Sequence, residues 1–315
     1  MKRIISILMV VALIMLTFAA CGGSGMTMGT GGTAGTYYGY GGILGNHIKS
    51  TVGLTVNVVS TDGSKANILG IAKGNYQLGT VQSDVLAYAW EGSRTFEEDG
   101  KVDSFRVIGG LYAEAVQLIT MDPAIKSVAD LKGKRVSIGA AGSGVYFNAI
   151  DVLAAAGMTE NDIVPQYQSF ADSADALKDK KIDAAFIVAG APTPAIQELC
   201  TAADAYLVPI DGDIADKLMQ SSPYYTVYKI PAKTYDGQEE DVTTVTVKAT
   251  LIVSASASEE DVYNITKTIF DNASAIDHAK AAELSLENAT TGMSAPFHAG
   301  AAKYFAEKGI TVETN

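Results

Sequence analysis

The sequence is poor in the side chains on which much of protein chemistry depends. Its 315 residues include four arginines (Arg3, Arg94, Arg106, Arg135), three histidines (His47, His278, His298) and two cysteines (Cys21, Cys200). The formal charge is −12, from 23 Lys+Arg against 35 Asp+Glu. That excludes a partner held mainly by phosphate neutralisation, because counterion release needs clustered cations, so no nucleic acid is expected. No two histidines have metal-ligand spacing. Asp211-Gly212-Asp213-Ile214-Ala215-Asp216 places glycine second rather than sixth for a calcium loop, and Ser222 rather than Glu twelfth, so it reads as a helix cap. A G-x-S-x-G elbow is missing and the histidines stand in unrelated contexts, His278 on what reads as a surface helix. Neither a catalytic set, a metal nor a cofactor is expected.

Long apolar runs are also scarce. Ile4–Leu16 spans 13 residues, too short for a bilayer crossing of about 20, and follows the positive Lys2-Arg3 pair as in a secretory signal. Phe18-Ala19-Ala20-Cys21 then resembles a bacterial lipobox, with Phe18 bulkier than the usual Leu. Residues 1–20 are expected to be a signal peptide, Cys21 the lipidation site and 21–26 a tether. Loss of Lys2 and Arg3 would take the charge from −12 to −14. The mature chain would be anchored on the outer face of the membrane through lipid alone, or free in the periplasm if cut as an ordinary secretory protein near Ala20. With Cys21 lipidated, Cys200 has no disulfide partner and reads as a core residue.

The rest is globular in composition, with 48% hydrophobic and 18% charged residues, and its length suggests about two domains. Strand and helix patterns alternate. Leu54–Val59 alternates apolar and polar residues as a strand, Ser64–Ala72 suits a helix, Gln77–Val81 a strand and Ser83–Trp90 a helix. Val107–Leu111 and Ala115–Met121 read as two strands, and Ser127–Asp130 as a capping box. The series continues with a strand at Arg135–Ile138, a helix at Val145–Ala156 closed by Gly157, a helix at Ala174–Lys181 and a strand at Ile182–Val188. Such alternation implies two α/β lobes with mostly parallel sheets, whose ligands sit at carboxyl ends of strands and at helix N-termini.

Two glycine-rich segments are candidate ligand loops. Gly29-Thr30-Gly31-Gly32-Thr33-Ala34 formally fits a dinucleotide fingerprint, but the strand before it would be only Met26–Met28, and the loop lacks the lysine of a phosphate cradle. Its interleaved threonines and tyrosines suit hydrogen bonding to a small solute at close backbone approach. Gly142-Ser143-Gly144 at a helix start offers free amides and a hydroxyl, an anion site without arginine. Glu97-Glu98-Asp99 reads as solvated surface.

Taken in order, Gly29–Thr33 with Thr36-Tyr37-Tyr38, Gln82-Ser83-Asp84, Ser127–Gly139 with Gly142-Ser143-Gly144, Lys181–Phe186, Gly190-Ala191-Pro192, Pro223-Tyr224-Tyr225, Ile230-Pro231-Ala232 and Pro296–Ala301 resemble the TAXI family. These are extracytoplasmic solute receptors of tripartite ATP-independent periplasmic (TRAP) transporters, and the resemblance spans essentially the whole mature chain. It implies an α/β, bilobed periplasmic-binding-protein fold of type II, with lobe 1 at 27–113 plus 249–315 and lobe 2 at 114–248, crossing near Tyr112–Val116 and Val245–Thr250. The implied ligand residues are Gly32, Thr33, Thr36, Tyr37, Ser64, Gln82, Ser83, Asp84 and Tyr112 from the first lobe and hinge, and Gly142, Ser143, Gly144, Gly190 and Pro192 from the second. The implied solute is small and acidic, of the glutamate or 2-oxoglutarate kind, delivered by a monomeric receptor to TRAP membrane subunits. Two other readings are a secreted hydrolase using Ser143 with His298, and a surface lipoprotein without a small-molecule ligand.

Overall fold

A computed structural model describes residues 25–314. The signal segment, Cys21 and most of the expected tether lie outside the described residues. Met26 does not belong to a tether: it is buried in the first strand, β1 (Met26–Gly29).

The N-terminal run alternates as β1, α1 (Thr36–Val52), β2 (Val56–Val59), α2 (Ser64–Ala72), β3 (Leu78–Gln82) and α3 (Ser83–Glu91). β1 pairs in parallel with both β2 and β3. A middle run contributes β5 (Arg135–Ser137), α4 (Val145–Ala155), β6 (Val164–Gln166), α5 (Phe170–Lys178), β7 (Ala184–Ala189) and α6 (Pro194–Ala202), with β5 parallel to β6 and β7. Both runs are thus βα units. α5 begins four residues earlier than its apolar pattern suggests, because Ser169 caps it by accepting from the Asp172 amide.

Two long strands join the runs. β4 (Phe105–Thr120) and β10 (Val242–Ser254) pair antiparallel, β10 also meets β3 and β4 also meets β7. The sheet is therefore one mixed path, β2-β1-β3-β10-β4-β7-β5-β6, rather than two mostly parallel sheets. β8 (Tyr206–Val208) adds to β4 and β9 (Thr226–Ile230) to β10.

Sequence pattern alone divides β4 in two, between Leu111 and Ala115, yet its pairing with β10 runs on through Ala113 and Glu114. The glycines of its first half serve close packing: a Cβ at Gly110 would meet the Asn288 carbonyl at 2.6 Å, and one at Gly109 the Phe270 ring at 2.9 Å. Further helices are α7 (Gly212–Ser221), α8 (Glu259–Asp271), α9 (Leu286–Thr290) and α10 (Ala299–Glu307). Buried apolar residues from 26–112 and 249–305 form one core, to which α8 and α10 contribute. Those from 115–247 form two further clusters, one on each face of the middle strands. Among the described residues, no helix is long and apolar enough to cross a membrane.

Candidate functional site

A cavity of about 360 Å³ opens between the two runs. This is within the size range of small-ligand pockets. Its wall consists of segments that leave the carboxyl ends of parallel strands: residues 31–37 after β1, 60–64 after β2, Gln82 at the end of β3, 140–145 after β5, 168–171 after β6, and Val188-Ala189 of β7. A parallel sheet places its ligands there, because the following helices begin there with unpaired amides.

Four helix starts line the cavity, those of α1, α2, α4 and α5. The first three have glycine N-caps, Gly35, Gly63 and Gly144, and no side chain caps them. The Lys65 amide of α2 is taken by the Gly142 carbonyl; the other first amides and the dipole ends are left for a ligand. Four hydroxyl protons of the wall are already committed: Thr36 Oγ1 donates to the Gly190 carbonyl at 2.7 Å, Ser60 Oγ to Gly31 at 3.0 Å, Thr61 Oγ1 to Thr30 at 2.9 Å and Ser143 Oγ to Ala140 at 2.7 Å. Ser64 Oγ accepts from the Gln82 amide at 3.1 Å.

Eight expected ligand residues stand on this wall: Gly32, Thr33, Thr36, Tyr37, Ser64, Gln82, Ser143 and Gly144. Six stand elsewhere. Ser83 turns away and accepts from the Lys248 amide at 3.1 Å. Asp84 is fully buried and accepts from Asn148 Nδ2 at 2.9 Å; burial pushes its carboxyl up to about 6. Tyr112 is buried edge-on to Tyr40, with ring centres 5.0 Å apart. Gly142 lies in a neighbouring groove beside Lys65, whose amide its carbonyl accepts at 3.2 Å. Gly190 and Pro192 sit behind the wall in the turn from β7 to α6, where the Gly190 carbonyl accepts from Thr36 and Thr193.

Residues missed by sequence reasoning include Gln168, Ser169, Phe170 and above all Glu114. Glu114 interrupts an otherwise apolar stretch of β4 and is 1% exposed. A carboxyl facing inward by strand alternation is the signal that marks it. Burial pushes its pKa up to about 8, against the opposing charge of Lys280. The Tyr37 hydroxyl borders it without making a regular hydrogen bond. Four buried atoms of the wall have no partner among the described residues: Tyr37 OH, Gln82 Oε1, Glu114 Oε1 and Gln168 Oε1.

Beside the cavity the two runs are tied by a polar network. Gln82 Nε2 donates to Asn148 Oδ1 at 3.1 Å, Asn148 Nδ2 donates to Asp84 and to Tyr225 OH at 2.9 Å each, and Tyr225 donates to Asp151 at 2.9 Å. Arg94 completes it with two bonds to Asp151, at 2.7 and 3.1 Å. Ser143 and His298 do not meet: His298 caps α10, its Nδ1 accepting from the Gly300 amide at 3.2 Å. His278 is not on a surface helix either; it is half-buried, accepts from the Lys280 amide and lies edge-on to Tyr40. Asp211 holds an N-cap position without a side-chain bond, and Asp99 is paired with Lys65 at 2.7 Å rather than simply solvated. Cys200 is half-buried at the edge of a core cluster, and its thiol is pushed up to about 11 by burial.

Parallel βα units on either side of two long shared strands, with a cavity where helix starts converge, define the α/β fold of periplasmic solute-binding proteins. The chain is similar in fold to a protein from Bordetella bronchiseptica RB50, with 16% identity over 93% of this chain and 84% of that one and a TM-score of 0.55. It is likewise similar to the alkanesulfonate-binding protein SsuA from Xanthomonas axonopodis pv. citri bound to MOPS, with 16% identity over 90% of this chain and 83% of that one and a TM-score of 0.51. The chain belongs to the NMT1-like family, which it matches over residues 28–309.

Proposed function

We propose that this protein is an exported solute receptor. It captures a small carboxylate-bearing solute, of the amino-acid or dicarboxylate class, between two lobes and presents it to the membrane subunits of a transporter. The observation that carries this reading is the convergence of three glycine-capped helix starts on one cavity bounded by both runs. A carboxylate there is held by amides and helix dipoles, with charge-assisted bonds worth about 1.5–3 kcal/mol each, and needs no arginine. The lobes are residues 27–113 plus 249–315 and 114–248, and the middles of β4 and β10 act as the hinge. Solute bridging both walls favours the closed arrangement by its differential contacts. The ordered motif series supports TRAP subunits as the membrane partner, and the Phe18–Cys21 segment supports lipid anchoring at Cys21.

Hydrolysis is disfavoured by geometry, since the Ser143 proton is spent on Ala140 and His298 caps a distant helix. The test is a thermal-shift screen of the purified protein, stripped of bound solute by unfolding and refolding, against amino acids, oxo acids, dicarboxylates and sugars. A solute at 100 times its Kd adds about 2.7 kcal/mol and raises the midpoint. Silence across all four classes would overturn the receptor reading.

A further inference from the structure

We propose that Glu114 is the specificity-determining counter-charge of the cavity, and that the solute is zwitterionic, its carboxylate at the helix starts and an ammonium group against Glu114. The inference rests on the receptor reading and narrows its substrate class.

The charged side chains on the cavity wall are Asp62 and Glu114, both acidic; Asp62 is exposed at the mouth and Glu114 is deep. Glu114 lies at the centre of the molecule, where β4 pairs with β10 and its register partner is Val247. The ionisable groups around it come from three elements: Tyr37 from α1, Tyr112 from its own strand, and Lys280 and Glu283 from the short helical turn Ala279–Glu283. Asp84 acts on Tyr37 from α3. Lys280 is not free to neutralise Glu114, because its ammonium pairs with Glu283 at 2.6 Å, and Glu283 also accepts the Ala113 amide at 2.7 Å.

Among the described residues Glu114 Oε1 is thus a buried oxygen without a hydrogen-bond partner, although the Gly190 amide and the Tyr37 hydroxyl lie beside the carboxyl; Gln82 Oε1 and Gln168 Oε1 are unpaired acceptors on the same wall, and the Tyr37 hydroxyl is unpaired as well. Buried polar atoms left this way are costly, so the wall favours a ligand that brings donors. An ammonium group brings three and a positive charge. A keto oxygen brings neither donor nor charge: it could accept from the Tyr37 hydroxyl or the protonated Glu114 carboxyl, but would leave Gln82 Oε1 and Gln168 Oε1 unpaired. Polar sites of this kind discriminate strongly between analogues that differ in one hydrogen-bonding group. The same burial that keeps the proton on Glu114 in the free protein gives the exchange a sign: an arriving ammonium expels that proton, whereas a second carboxylate would retain or recruit it. Tyr37 and Tyr112 are raised by burial and remain neutral throughout this range.

The test is titration calorimetry on the stripped protein with matched pairs: glutamate and 2-oxoglutarate, alanine and pyruvate, leucine and 4-methyl-2-oxopentanoate. Each pair is measured in phosphate and in Tris, whose ionisation heats differ. The expected result is that the amino acid of at least one pair binds at least tenfold more tightly than its oxo partner, releases a proton, and gains affinity from pH 6 to pH 8. Glu114→Gln should shrink the preference to less than threefold and remove the proton release. If that variant fails to fold, the wild-type ratio and the sign of the proton exchange still decide. An oxo acid that binds as tightly as its amino acid, or proton uptake on binding, would overturn the inference while leaving the receptor reading intact. Absence of binding in every pair would overturn it too; a thermal shift with another solute class would then preserve the receptor reading, and none would end both.

Discussion

Arg94 adopts a left-handed backbone conformation, φ 49°, which a non-glycine residue holds only when its surroundings over-determine it. Here the guanidinium makes two bonds to Asp151 and one to Tyr88, and stacks 5.0 and 4.9 Å from the ring centres of Tyr88 and Phe147. Asp84, at the other end of the same network, has the opposite character: its carboxyl is buried with one oxygen unpartnered. With its pKa raised from 3.8 to about 6, the folded state binds that proton more tightly than the unfolded chain. The stabilisation is therefore complete below pH ~4 and is lost as pH rises through about 6, by roughly 3 kcal/mol. Asp84→Asn should have a melting midpoint that gains on the wild type as pH goes from 4 to 7; a difference constant across that range would contradict the assignment.

At the scale of elements, the pieces that matter are the strand-to-helix connections. The positive φ of Gly142, +84°, and of Gly63, +103°, lets the chain turn tightly where α4 and α2 begin, so that the backbone itself forms the wall. Asn148 on α4 joins these connections to the start of α3 through Gln82 and Asp84, and is itself held by Tyr225 of its own run. Asn148→Leu fits the volume but strands the Gln82 amide and an Asp84 oxygen. We expect a loss of about 3 kcal/mol in denaturant unfolding, because unpaired buried polar groups cost more than the bond they lose. A loss below 1 kcal/mol would mean that water or rearrangement replaces the network. The helix pattern was legible locally: the limits of α2 and the start of α3 follow from the Gly63-Ser64 turn, the Ser83-Asp84 pair and apolar spacing, although neither helix has a side-chain cap. β4 was not, since the polar Glu114 breaks its apolar pattern between Leu111 and Ala115, and only pairing with β10 from far along the chain carries the strand straight through.

For the whole molecule, the two runs touch on both sides of the cavity, through Thr36 with Gly190 on one side and Gln82 with Asn148 on the other. Gly144 stands at a close approach between them: a Cβ there would lie 1.6 Å from Gln82 Oε1 and 2.8 Å from Val85 Cγ2. Gln82 cannot simply swing aside while it is bonded to Asn148. Gly144→Ala should therefore hold the lobes apart. In solution scattering the wild type should contract when a bound solute is added, whereas the variant should stay expanded and bind at least tenfold more weakly. Wild-type contraction and affinity in the variant would show that closure does not need this contact. The register shifts between β4 and β10, at Lys248–Thr250 and Leu251–Ile252, fall near the proposed hinge, where a loosened ladder eases bending.

Sequence by itself determined the alternating α/β architecture and several wall residues. Strand periodicity, caps and glycine-hydroxyl loops are local signals, and Gly32, Thr33, Thr36, Ser143 and Gly144 lie in such loops. Only the tertiary structure decided which residues converge. Tyr112 and Asp84 look like ligand groups in motif context, yet strand pairing and helix packing turn them into the core. Glu114 looks like one acid among thirty-five, yet β4 carries it to the cavity floor, 1% exposed and with its Oε1 unpaired among the described residues. The reason is one of range: a cap or a turn is settled within a few residues, whereas the chemistry of a buried carboxyl depends on chain brought alongside it from far away, here Tyr37 and Lys280.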